Sequence, residues 1–155
     1  MILDIPDFGL LRLEHLVLDY NGTLARDGEL VTGVAERLVR LGKELQIHVV
    51  TADTFGKARE SLASVSCRLT ILERQSQAQA KRIYVAKLGR ERTAAIGNGR
   101  NDRLMLKTAA LGIATVQAEG AAREAVLAAH VVVRSVIDAL DLLIEPMRLT
   151  ATLRG

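Results

Sequence analysis

The 155-residue chain is 49% hydrophobic and 25% charged, a length and balance that fit one soluble globular domain over residues 1–155. Its formal net charge of +3 is modest, and an aromatic content of 3% denies it the stacking surface that single-stranded nucleic acid needs, so nucleic acid is not an expected partner. Cys67 is the only cysteine, which excludes an internal disulfide and a multi-thiolate metal site; it reads as a small buried apolar residue in a reducing compartment. The first residues, MILDIPDFG, are acidic where a secretory signal is basic, and no apolar run reaches the length of a membrane span. The expectation is a cytoplasmic protein without a membrane partner.

In chain order, Ile2 to Ile5 and Leu10 to Leu13 predict a hairpin (residues 1–13) around the turn Pro6-Asp7-Phe8-Gly9. His15 to Tyr20 is an apolar run of the kind found in strands covered on both faces. Arg26-Asp27-Gly28-Glu29 signals a turn, and Thr32 is placed to cap a helix carrying Val34, Leu38, Leu41 and Leu45. A strand Ile47–Thr51, a helix Thr54–Ala63, a strand Cys67–Ile71 and a helix Gln75–Leu88 stopped by Gly89 follow. Then come a strand Thr93–Asn98, a helix Asp102–Ala109, a strand Leu111–Val116, a helix Glu119–Ala129, a strand His130–Val133 and a helix Val136–Leu143. Residues 146–155 form a basic tail that can add a helix or reach a neighbouring subunit. Strands alternating with helices predict an α/β, three-layer, Rossmann-like fold with a central parallel sheet.

In such a sheet, ligands bind beyond the carboxyl ends of the strands. Those ends carry Asp19, Asn21 and Thr23, then Thr51, then Asn98 and Asp102, with Lys81 on the helix before the Asn98 strand. A strand-end carboxylate can attack phosphorus when cations and donors neutralise the approaching dianion. Taken alone, Asn21-Gly22 is only a turn signal. His15, His48 and His130 lack metal-ligand spacing and read as structural or surface residues. Asp53 reads as a helix cap.

At these positions the sequence resembles the haloacid dehalogenase (HAD) superfamily of phosphotransferases. Its first motif, Asp-x-Asp-Gly-Thr, stands here as Asp19-Tyr20-Asn21-Gly22-Thr23; its threonine after an apolar strand as Thr51; its lysine as Lys81, with Lys87 the lesser candidate; and its Gly-Asp-Gly-x-Asn-Asp as Gly97-Asn98-Gly99-Arg100-Asn101-Asp102. The match runs in order through most of the chain. Within the superfamily the chain is most similar to the phosphorylation domain of P-type ATPases, which also lacks an acid at the second position of the first motif and whose Thr-Gly-Asp is echoed by Thr51-Ala52-Asp53. It lacks the membrane spans and nucleotide-binding insert of a pump.

The resemblance implies a Mg²⁺-dependent phosphatase or phosphotransferase acting on a small phosphorylated substrate. It implies Asp19 as nucleophile and Thr51 and Lys81 on the phosphoryl group. It further implies Asn21, Gly22, Thr23, Ala52, Arg100 and Asn101 as substrate contacts, with Arg100 equally placed for the solvated surface, and Asp19, Asn21, Asn98 and Asp102 around the metal. Neither gap between motifs holds a cap domain, and capless relatives enclose their substrates with a second subunit, so a homo-oligomer is expected. Asn21 and Asn98 each replace a family aspartate. The first cannot act as acid or base, a function worth about 10² to 10⁴-fold; the second removes a charge from the metal site. The alternative is a degenerate phosphate-binding or regulatory module.

Overall fold

The computed structural model describes residues 1–52 and 56–155. The chain opens with an antiparallel hairpin, β1 (Ile2–Ile5) and β2 (Gly9–Arg12), and enters the main sheet at β3 (His15–Leu18). A short flap, β4 (Ala25–Arg26) with β5 (Glu29–Leu30), precedes α1 (Val34–Leu41). Next come β6 (Gln46–Thr51), α2 (Ala58–Ser61), β7 (Arg68–Ile71) and α3 (Gln77–Leu88). The remaining elements are β8 (Thr93–Gly97), α4 (Arg103–Thr108), β9 (Leu111–Thr115), α5 (Arg123–Ala128), β10 (Val131–Val133), α6 (Val136–Ile144) and α7 (Pro146–Leu153).

Six strands pair in the order β10-β9-β8-β3-β6-β7, every pair parallel. The chain leaves β3 toward β6 and β7, then returns to the other side for β8, β9 and β10. The switch point therefore lies between β3 and β8, where a crevice opens at the strands' carboxyl ends.

The period of two along each strand sorts its side chains between two helical layers. On one side, Leu16, Leu18 and Val49 pack with Val34 and Leu38 of α1 and Leu140 and Leu143 of α6. On the other, Val17, Val50 and Ala95 pack with Val85 of α3, Met105 and Leu106 of α4 and Ala125 of α5. Strong amphipathicity explains α1: Val34, Leu38 and Leu41 fall on one buried face at helical spacing.

Two local expectations change, a third falls outside the described residues, and a fourth resolves between its alternatives. Gly33 (φ 88°), not Thr32, occupies the N-cap of α1, without a side-chain hydrogen bond, because the chain turns there through a conformation that glycine adopts without strain. The helix expected over Glu119–Ala129 is confined to Arg123–Ala128; residues 117–120 close a turn first, the Gly120 N–H donating to the Gln117 carbonyl at 2.7 Å. The start of the helix expected at Thr54, and the Asp53 cap, lie outside the described residues; the described part is Ala58–Ser61. The basic tail forms α7, with Leu149 buried, so its apolar face packs within the chain. Among the described residues no helix is long and apolar enough to cross a membrane.

Candidate active site

Asp19 follows the last residue of β3 and is held in place by its own N–H, which donates to the Ile96 carbonyl of β8 at 3.1 Å. The alternation of β3 puts its side chain on the α3 face, where Lys81 is fully buried. Lys81 Nζ donates to Asp19 Oδ1 at 2.5 Å and to Asp102 Oδ1 at 2.6 Å. One ammonium thus bridges two buried carboxylates. Lys87, six residues further along α3, is exposed, so Lys81 is the lysine that reaches Asp19.

The remaining oxygens have different occupations. Asp102 Oδ2 accepts the N–H groups of Asn98 at 3.0 Å and Gly99 at 2.8 Å, so both oxygens of this carboxylate are engaged within the protein. A Cβ at position 97 would sit 2.6 Å from the Asp102 carboxyl carbon; glycine there is what lets the loop close around Asp102. Asp19 Oδ2 meets the Thr23 hydroxyl at 3.4 Å, and that hydroxyl is nearer to Asn98 Oδ1, at 3.1 Å; the Tyr20 backbone N–H also donates to the Asp19 carboxylate. With one proton to give, Thr23 serves the amide first. Lys81 holds Oδ1, so the two oxygens of Asp19 are held unequally.

These contacts set the electrostatics. Burial, reinforced by the neighbouring Asp102, pushes the Asp19 carboxyl up to about 7, against the pull of Lys81. For Lys81, burial acts to lower the pKa, but the charges of Asp19 and Asp102 outweigh it and hold the ammonium above its ordinary range. The cluster has two acids for one base and is short of positive charge.

A cleft of about 160 Å³ opens over these groups, lined by Asp19, Asn21, Thr51, Ala52, Gln77, Asn98, Gly99, Asn101 and Glu119. It is smaller than the ~300 Å³ at which pockets for whole organic ligands begin, so a phosphoryl-sized group fits and a larger substrate must extend beyond it. Thr51 closes β6 at its wall and is buried. Asn21 Oδ1 is buried without a hydrogen-bond partner among the described residues, an acceptor in want of a donor or a cation. Gly22 (φ +77°) meets a second constraint: a Cβ there would lie 2.7 Å from Glu119 Oε2 and 2.8 Å from Asn98 Nδ2. The Glu119 carboxylate and the Asn98 amide converge on that turn.

Among the described residues the candidate cation-binding groups at this end are oxygens: Asp19 Oδ2, the amide oxygens of Asn21 and Asn98, and Glu119. That set suits a hard cation such as Mg²⁺ and not a soft one. It is poorer in charge than a carboxylate cluster, and among the described residues no group of three His, Cys, Asp or Glu side chains is arranged to hold a metal.

Arg100 does not line the cleft. Its side chain is 75% exposed and pairs with Glu124 at 3.1 Å. Three residues that the motifs do not mark are placed at the site. Gln117 donates from Nε2 to the carbonyls of Gly22 at 2.9 Å and Thr23 at 2.7 Å and accepts the Val136 N–H, fixing the first-motif loop. Gln77 accepts from Asn101 Nδ2 at 2.7 Å, and Glu119 supplies the extra carboxylate. Each comes from a loop or helix start whose approach to the site depends on the tertiary fold, so only the position of Gln77 one turn before Lys81 was a readable signal.

No family model matches the chain. Over 60 residues, 39% of this chain, it is 52% identical to Uncharacterized protein MJ0073 of Methanocaldococcus jannaschii, spanning 64% of that protein's length. It is 46% identical over 39 residues, 25% of this chain, to Uncharacterized protein MJ0072 of the same organism, covering 89% of it. Among solved structures, the cobalt-bound deoxy-D-mannose-octulosonate 8-phosphate phosphatase of Haemophilus influenzae superposes with a TM-score of 0.71 at 14% identity, over 93% of this chain and 94% of that one. The 3-deoxy-D-manno-octulosonate 8-phosphate phosphatase of Moraxella catarrhalis, solved with magnesium, phosphate and KDO, gives 0.68 at 12% identity over 86% of each chain. A zinc-transporting PIB-type ATPase gives 0.59 at 21% identity, over 79% of this chain and 20% of the pump. The chain shares its fold with these phosphatases and with the matched fifth of the pump, and by sequence it belongs to one family with MJ0072.

Proposed function

We propose that the chain is a Mg²⁺-dependent phosphatase or phosphotransferase that works through an aspartyl phosphate on Asp19 and turns over slowly. The observation that carries this reading is Asp19 itself, a strand-end carboxylate that lines the cleft with Oδ1 tied to Lys81 at 2.5 Å and Oδ2 outside that pairing.

In the first half-reaction Asp19 Oδ2 attacks phosphorus, and the bond from phosphorus to the leaving-group oxygen breaks with its electron pair. Lys81 and the Thr51 hydroxyl stand against the phosphoryl oxygens. Asp102 holds Lys81 and the 98–99 backbone in position. A magnesium ion, held by Asp19, Asn98 and the Asn21 peptide carbonyl with Glu119 alongside, would supply the positive charge that offsets the phosphoryl dianion. Asn21 gives no proton, so leaving groups that depart as stable anions, such as the carboxylate of an acyl phosphate, react best. In the second half-reaction water attacks phosphorus and frees the Asp19 carboxylate. With no carboxylate at position 21 to take the water's proton, this step is the slow one. The substrate class is a small phosphorylated molecule, and exposed Ile2 and Leu10 on the hairpin and Met147 on α7 are candidate contacts for a second copy.

The test is acetyl phosphate with Mg²⁺, an acid quench, and intact mass spectrometry. One added phosphoryl group is expected on the parent protein and none on Asp19→Asn; Asn21→Asp should shorten the adduct's life by about 10² to 10⁴-fold. An adduct of equal size on Asp19→Asn, or no adduct and no phosphate released by the parent, would refute the reading. The shortage of carboxylates around the cation position favours one rival, a phosphate-binding module. Phosphate binding without any turnover is its signature.

A further inference from the structure

The cleft over Asp19 is not isolated. Gln77 and Asn101, joined by their hydrogen bond at 2.7 Å, line it on one side and line a second, open groove of about 550 Å³ on the other. That groove is bounded by Arg74, Ser76, Ala78, Arg100 and Arg103. Three arginines line it, and among the described residues no acid does.

The charges there are only partly spent inside the protein. Arg100 pairs with Glu124 at the rim, and Arg103 Nη1 donates to the Arg100 carbonyl at 2.7 Å. Arg74 makes no ion pair among the described residues; its carbonyl accepts from Gln77. Arg74 and Arg103 thus keep donors in forks suited to bidentate capture of a phosphate or carboxylate. The small cleft excludes the organic part of a substrate, and the route out of it past Gln77 and Asn101 leads into this groove. The flap's Glu29, by contrast, is already paired with Lys57 at the start of α2.

Resting on the phosphatase reading for the reacting end, we infer that the groove is a second anion subsite. The substrate is a phosphate ester or anhydride whose far end carries another phosphate or carboxylate, gripped by Arg74 and Arg103 while Asp19 meets the first phosphoryl group. A bis-anionic substrate would be aligned by its non-reacting end, which is how remote binding energy is used for orientation.

The experiment measures calorimetric affinities of fructose 1,6-bisphosphate and fructose 6-phosphate for Asp19→Asn in Mg²⁺, where no turnover complicates the heats. The bisphosphate is expected to bind at least about tenfold more tightly. Adding Arg74→Ala and Arg103→Ala should erase that advantage and leave fructose 6-phosphate affinity where it was, with an unchanged circular-dichroism melt showing that the fold is intact. Equal affinity for the two sugars, an advantage that survives the double replacement, or equal weakening of both would overturn the inference. Phosphate release by the parent protein is read separately. Its absence counts against the phosphatase reading alone, because the binding comparison needs no catalysis.

Discussion

Two buried polar clusters lie under the same helix, α3, and they solve the problem of burying polar groups in opposite ways. β3 sends His15, Val17 and Asp19 to one face, a column about 13 Å long. At its upper end Asp19 and Asp102 share Lys81. At its lower end His15 Nδ1 meets His48 Nε2 at 3.2 Å, His48 Nδ1 meets the Tyr84 hydroxyl at 3.0 Å, and Thr70 donates to that hydroxyl at 3.4 Å. Val17, Val50 and Val85 fill the space between. If Thr70 donates to Tyr84, Tyr84 to His48 and His48 to His15, each of these contacts has a donor and an acceptor with both rings neutral. Burial first, then the charge of each ring's neighbours, lowers both histidines, His48 to about 4. The lower cluster is satisfied and carries no charge. The upper one, with two carboxylates to one ammonium, is left short of positive charge, which separates it from the neutral polar core below.

The sharpest way to break this contrast is Lys81→Met. It leaves two carboxylates buried side by side without their ammonium, and removal of one partner from a buried ion pair costs about 3 to 5 kcal/mol. Urea unfolding at pH 8 should show that loss. Adding Asp102→Asn should recover part of it by removing one of the stranded charges. A Lys81→Met protein as stable as its parent would mean the upper cluster is not coupled as its geometry implies.

The same contrast explains what could be read from the sequence. The succession of strands and helices along the chain was legible because Val17, Val49 and Val50 are β-sheet formers in buried apolar runs, and because residues between strands show helical spacing. Asp19, Thr23, Lys81, Asn98 and Asp102 could be grouped from motif spacing, and the chain does bring them together. Motif spacing could not distinguish a carboxylate that faces the cleft from one already engaged, as Asp102 is by Lys81 and two backbone N–H groups. Nor could it show that Arg100 turns to Glu124. Glu119 and Gln117 sit in a turn that interrupts an alanine-rich, helix-favouring stretch, and local propensity hid them. The His15–His48 contact joins residues on neighbouring strands, and the ring pairing follows from strand register, with His15 opposite Gln46 and Val17 opposite His48.

A smaller effect separates the clusters by the sign of their pH dependence. Asp19 titrates near 7 in the fold and near 3.8 when unfolded, so between these values the native state holds the extra proton and stability falls as pH rises. The histidines are depressed in the fold, His48 from 6.5 to about 4. Their contribution is present above pH 6.5 and is lost as pH falls toward 4. Thermal melts from pH 4 to 8 should therefore respond in opposite directions: Asp19→Asn raises Tm at pH 8 by roughly 3 °C or more, whereas His48→Gln reduces the acid-side loss. Identical pH slopes for both variants and the parent would remove the distinction. Mg²⁺ should narrow the Asp19 effect by stabilising its ionised form, and should leave the His48 slope where it is.

The smallest expected effect tests whether the lower cluster is purely structural. Tyr84→Phe keeps the ring against His48, with centroids 5.7 Å apart in an edge contact, and removes only the hydroxyl that joins His48 to Thr70. A neutral hydrogen bond contributes about 1 kcal/mol, and a buried acceptor left unmade adds to the cost, so a loss of about 1 to 2 kcal/mol at pH 7.5 is expected in urea. Phosphoryl-adduct formation from acetyl phosphate should be unchanged, because Tyr84 and Lys81 share a helix but the valines between the clusters carry no charge or proton from one to the other. A Tyr84→Phe protein with normal stability and impaired adduct formation would show instead that the histidine chain acts on the reactive end through α3.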